Sequence, residues 1–139
     1  MIFENLKWTG SVELLVAEVH LDLHNCYDFA SFKHDIQKRE LILIWRRGTG
    51  DWVDASLPSQ FTLNFFDVYH LKIEPRDHQL PFTEDDCLEE FGFYSDAETN
   101  EDPFFREFDI DPNWLWSFTF QSKAEIVVGA KLAKATLAS

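Results

Sequence analysis

No run of apolar residues in this 139-residue chain approaches the roughly 18 that a membrane helix requires. The opening MIFENLKWTG also lacks the basic region and apolar core of a secretory leader. These absences lead us to expect a soluble protein of the cytoplasm, with no membrane partner. Two cysteines, Cys26 and Cys87, are too few for the disulfide framework of a small secreted domain and read as reduced, unlinked thiols. Glycine is scarce at five residues, and RRGTGDW has neither the spacing nor the lysine of a phosphate-binding loop. GxSxG and HExxH are missing too. The sequence calls for no cofactor, offers no catalytic residue, and disfavours an enzyme.

Against these gaps stand 45% hydrophobic and 16% aromatic residues, enough to argue against disorder despite a formal net charge of −13. The length fits a single domain, residues 1–139. The negative charge is local: residues 82–111 hold twelve acids and one base, Arg106, a net of −11. A surface of that sign repels phosphate backbones and disfavours nucleic acid as a partner.

Period-two patterning dominates. Leu15, Ala17, Val19, Leu21 and Leu23 alternate with Val16, Glu18, His20, Asp22 and His24, which predicts one strand with a wet face. FASFKHDI, a polar QKRE turn and LILIWRR predict a hairpin whose second strand lies centrally in a sheet. Phe61 to Phe65 and Val68 to Glu74 form two runs around Asp67, either a hairpin or one strand bent at a bulge. Trp116, Phe118 and Phe120, the turn QSKA, and Ile126, Val128 and Ala130 predict a further hairpin. Thr83 as N-cap, acids at 84–86, and Cys87, Leu88 and Phe91 at helical spacing predict a short helix near residues 84–91. The expected fold is mainly β with that helix: an antiparallel sandwich or roll of six to seven strands.

The one metal-competent constellation is HLDLHNC, where His20, Asp22, His24 and Cys26 alternate along a strand. Alternate strand residues lie nearly 7 Å apart, which makes these weak candidates, better read as the polar face of an edge strand. The acidic stretch is more telling. Eleven surplus negatives repel one another unless something positive meets them, and a small domain needs far fewer to remain in solution. The reading is a surface for a basic protein partner, with Tyr94 as an exposed aromatic anchor and Glu89, Glu90, Asp96, Glu98, Glu101 and Asp102 as its charged rim. The alternatives are a small-ligand or metal-binding domain, and a self-associating structural subunit whose acidity keeps a homo-oligomer in solution.

The succession of LHNCYDFASF, RELILIW, FTLNFFDVYHLKI and FTFQSKAEIVVGA resembles the small uncharacterised bacterial β-rich domains found among immunity proteins of toxin systems. The resemblance spans most of the chain as an order of strand types and transfers no residue role. It implies a non-enzymatic cytoplasmic protein that neutralises a toxin domain, with an acidic face suited to a basic one.

Overall fold

A computed structural model describes residues 1–94, 100, 101, 113 and 115–139. Two sheets account for nearly all of its regular structure. The small sheet joins β2 (Leu6–Trp8), β3 (Glu13–Val16) and β4 (Val19–Asp22) in that order. The large one is built from β5 (Tyr27–Asp35), β6 (Glu40–Arg47), β7 (Gln60–Glu74), β8 (Leu88–Tyr94), β9 (Asn100–Glu101), β10 (Leu115–Phe120) and β11 (Glu125–Ala138). Its order is β5-β6-β7-β11-β10-β8-β9, all antiparallel, and β1 (Ile2–Glu4) lies parallel to the far half of β11.

The fold is therefore mainly β, a curled antiparallel sheet with a smaller sheet against it. Curling follows from alternation. Leu41, Leu43 and Trp45 on β6, Phe61, Leu63 and Phe65 on β7, and Trp116 and Phe118 on β10 all point to one side and are fully buried. The sheet wraps its two ends around this aromatic core, where Phe65, Phe91 and Phe118 surround Trp116 at centroid distances of 4.7 to 5.9 Å. The ends meet where the Phe29 N–H donates to the Asp86 carbonyl at 2.8 Å. The small sheet covers the same face: Leu14, Val16 and Leu21 are buried, and the Trp8 ring stands 4.1 Å from Phe93 and 5.5 Å from Trp116.

Both predicted hairpins are present, β5 with β6 and β10 with β11, and β6 is flanked on both sides by strands. The two runs around Asp67 form one strand, with Asp67 at φ 55° and a register break opposite Gly129 and Ala130. Gly129 is needed beside that break. A Cβ there would lie 2.6 Å from both Leu115 Cδ2 and Tyr69 Cε2.

Two expectations are corrected. The alternating run from Leu15 to His24 is not one strand, because Ala17 and Glu18 take φ of 48° and 67° and reverse the chain in a two-residue turn that sets Val16 opposite Val19. The helix near residues 84–91 is absent. Phe82–Glu84 makes a lone 3-10 turn, with Pro81 rather than Thr83 at its N-cap and no side-chain cap, and β8 begins at Leu88. The register of β8 against β10 explains the misreading. Phe120 faces Leu88 and Thr119 faces Glu90, so Glu89 is the extra residue of a β-bulge, and the core-facing residues Leu88 and Phe91 fall three apart as they would on a helix.

Candidate partner-binding surface

The bulge in β8 determines where the predicted acidic rim points. Glu89 is turned back to the β10–β11 turn, where its carboxylate receives Lys123 Nζ at 3.1 and 3.3 Å. Glu90, opposite Thr119, is exposed. Tyr94 is half-buried rather than an exposed anchor; its hydroxyl donates to Glu125 Oε2 at 3.0 Å. It helps line a cavity of about 240 Å³ with His70, Lys72, Leu115, Glu125 and Val127. Glu101 sits on β9 with its backbone opposite Phe93, and its side chain lies outside the described structure. Asp96, Glu98 and Asp102 lie outside the described residues.

The residues proposed for metal do not converge. His20 is exposed on β4 opposite Leu15. The Asp22 carboxylate is occupied by its own turn, accepting from the N–H groups of His24 and Asn25 and from Asn25 Nδ2, each at 2.9 Å. His24 reaches away to β8, where Nδ1 lies 2.6 Å from the Leu88 carbonyl oxygen. Among the described residues no group of three or more His, Cys, Asp or Glu side chains is placed to hold a metal ion.

His24 also meets a thiol that local sequence does not link to it: Cys87 Sγ lies 3.4 Å from Nδ1. This pair is poorly arranged for nucleophilic chemistry. A carbonyl oxygen only accepts, so the bond to Leu88 requires Nδ1 to carry a proton, and that nitrogen then has no lone pair with which to take the thiol's. Burial, followed by the carboxylates of Asp86, Glu84, Asp28 and Asp22, raises the Cys87 pKa, the opposite of what an activated cysteine needs. Burial and the Asp22 carboxylate raise Cys26 likewise.

The acids around Cys87 are the feature that sequence reasoning overlooked. They come from three places: Asp22 at the end of β4, Asp28 at the start of β5, and Glu84 and Asp86 before β8. The Phe29 to Asp86 backbone bond ties the second place to the third, and the bond from Cys26 N–H to the Asp22 carbonyl ties the first to the second. Partial desolvation and then Asp28, with smaller contributions from Asp85 and Glu84, push the Asp86 carboxyl above its ordinary pKa. Among the described residues, the cations near the cluster do not neutralise it. Arg76 is engaged by Asp85 at 2.8 Å and by the Phe82 ring at 4.6 Å, and Arg46, opposite Asp28 in the register, makes no ion pair with it. Beside this cluster stands Trp52, 75% exposed, with its indole N–H donating to the Asn25 carbonyl at 2.9 Å and its ring folded over Gly50. Nothing in the local pattern of GTGDW distinguished this tryptophan from the four others.

No protein-family model matches the chain, and comparison with curated proteins and with solved structures gave no match. Among the described residues no helix is long and apolar enough to cross a membrane.

Proposed function

We propose that this protein is a non-enzymatic binding module for a basic protein, an immunity protein that neutralises a basic toxin domain. The observation that supports this reading is the gathering of Asp22, Asp28, Glu84 and Asp86 from separate elements onto one surface, where Asp86 experiences its neighbours as repulsion. Like charges held together by the fold lower its stability unless a partner of opposite sign relieves them. Trp52 takes the anchoring role that the sequence assigned to Tyr94, since its ring is exposed and already fixed by a hydrogen bond and by Gly50. Glu90, exposed on β8, and the net charge of −13 add to the field that steers a basic partner towards the protein.

Affinity capture from the native cell at low salt, with the wild type beside a D28N/E84Q/D86N variant, tests the reading. Wild-type protein is expected to retain a basic protein in stoichiometric amount, and the variant to lose it by about tenfold or more, with the contrast fading as salt screens the surface. Equal recovery by both proteins at low salt overturns the proposal.

A further inference from the structure

Among the described residues the large sheet closes incompletely. At the seam β5 is bonded to the run before β8 through Phe29, but a bulge between Phe29 and Ser31 then carries the strand away. From Ser31 to Asp35 it pairs with β6 alone, so its other edge presents unpaired backbone groups among the described residues. Phe32 lies opposite Leu43 and faces the core side, yet it is 45% exposed, with no described strand following it across the seam. Ile73, near the end of β7, is 49% exposed. With Phe29, Phe120, Ala124 and Ile126 these two line an open groove of about 250 Å³, walled chiefly by carbon.

We propose that this seam receives an extended segment of the basic partner, which adds to the free edge of β5 as a further strand and sends its apolar side chains into the groove. The proposal rests on the reading of the protein as a binder of basic proteins and adds the site and mode of docking. Strand addition requires an open edge for the backbone and pockets for alternate side chains, and β5 and its groove supply both.

Charge selects the occupant. Within the groove Arg76 is paired with Asp85. The exposed carboxylates of Asp28 and Asp86 stand where β5 meets the seam. An extended segment alternating apolar residues with Lys or Arg matches this arrangement. A second copy of the chain would bring another −13 of charge and so is disfavoured.

The test uses the full chain and three capped, fluorescein-labelled decapeptides: alternating Lys and Leu, alternating Glu and Leu, and the Lys-Leu peptide N-methylated at alternate amides. The Lys-Leu peptide is expected to bind at low salt and to slow amide hydrogen exchange within Ser31–Asp35. The Glu-Leu and N-methylated peptides should each bind at least about tenfold more weakly, as should the Lys-Leu peptide to a Phe32→Lys variant whose melting curve is unchanged. Equal binding of the N-methylated peptide overturns strand addition, and equal binding of the Glu-Leu peptide overturns the charge assignment. If the Lys-Leu peptide binds but protects only residues 84–90 and tolerates Phe32→Lys, the seam is refuted while the basic-partner reading stands. If it does not bind at all, both fall. A wild-type dimer by sedimentation that Phe32→Lys dissolves would replace the partner with a second copy.

Discussion

Tyr27 shows how one side chain ties stability to solution conditions. Its ring is buried and its hydroxyl donates to the Pro58 carbonyl at 2.8 Å. Burial, only partly countered by Arg47, lifts its pKa to about 12 from an ordinary 10.0. The folded protein therefore holds this proton where the unfolded chain releases it, and the associated stability is present below pH 10 and disappears as pH rises towards 12. Tyr27→Phe should flatten that alkaline decline, as read from melting temperature against pH. Asp86 is also raised, so its contribution falls as pH climbs through and just above the ordinary carboxylate range. Asp86→Asn should accordingly melt at or above the wild-type temperature at neutral pH, with the difference closing in acid; a lower neutral melting point would mean that Asp86 is held by favourable contacts instead. In the core, the indole N–H groups of Trp8, Trp45 and Trp116 have no hydrogen-bond partner among the described residues. Trp45→Phe removes such a donor while keeping an aromatic ring and should cost below about 1.5 kcal/mol. Trp45→Ala empties a fully buried site and should cost about 3 to 5 kcal/mol by denaturant unfolding.

At the scale of elements, what the sequence revealed depended on whether a strand kept its period. β6 and the β10–β11 hairpin were legible because Leu41, Leu43 and Trp45, and Trp116, Phe118 and Phe120, face the core at every second position. β8 was not, since the bulge at Glu89 gave Leu88 and Phe91 a helical spacing, and the acids before them imitated a first helical turn. The β3–β4 turn was hidden differently. Leu14 and Val16 face inward before it and Leu21 and Leu23 after it, while Leu15, Ala17 and Val19 preserve an unbroken apolar rhythm on the other parity. Ala17 and Glu18 are also poor signals for a turn that needs positive φ at both central residues. Replacing them with Asn and Gly should raise stability by about 1 kcal/mol, seen as a higher melting temperature. The candidate surface was legible only as a count of charges. Joining Asp22 and Asp28 to Glu84 and Asp86 takes the Phe29 to Asp86 bond at the seam, which no local pattern encodes.

The whole molecule hangs on β11. It pairs with β7 from Glu125 to Ala138, with β10 from Glu125 to Val128, and with β1 at Leu132–Lys134. Amide exchange should be slowest there and in β7, and fastest in β4 and the free edge of β5, where pairing is short or one-sided. Because β11 follows every other strand in the chain, the order of synthesis has a consequence. While the ribosome is still making residues 1–124, β7 and β10 have no strand to bridge them, β1 has no partner, and the rings around Trp116 have no closed sheet to enclose them. Such long-range pairing cannot be completed piecemeal as the chain emerges. A nascent chain stalled before Glu125 should thus be cut readily by protease, and resistance should appear only once a spacer has carried Ala138 clear of the exit tunnel.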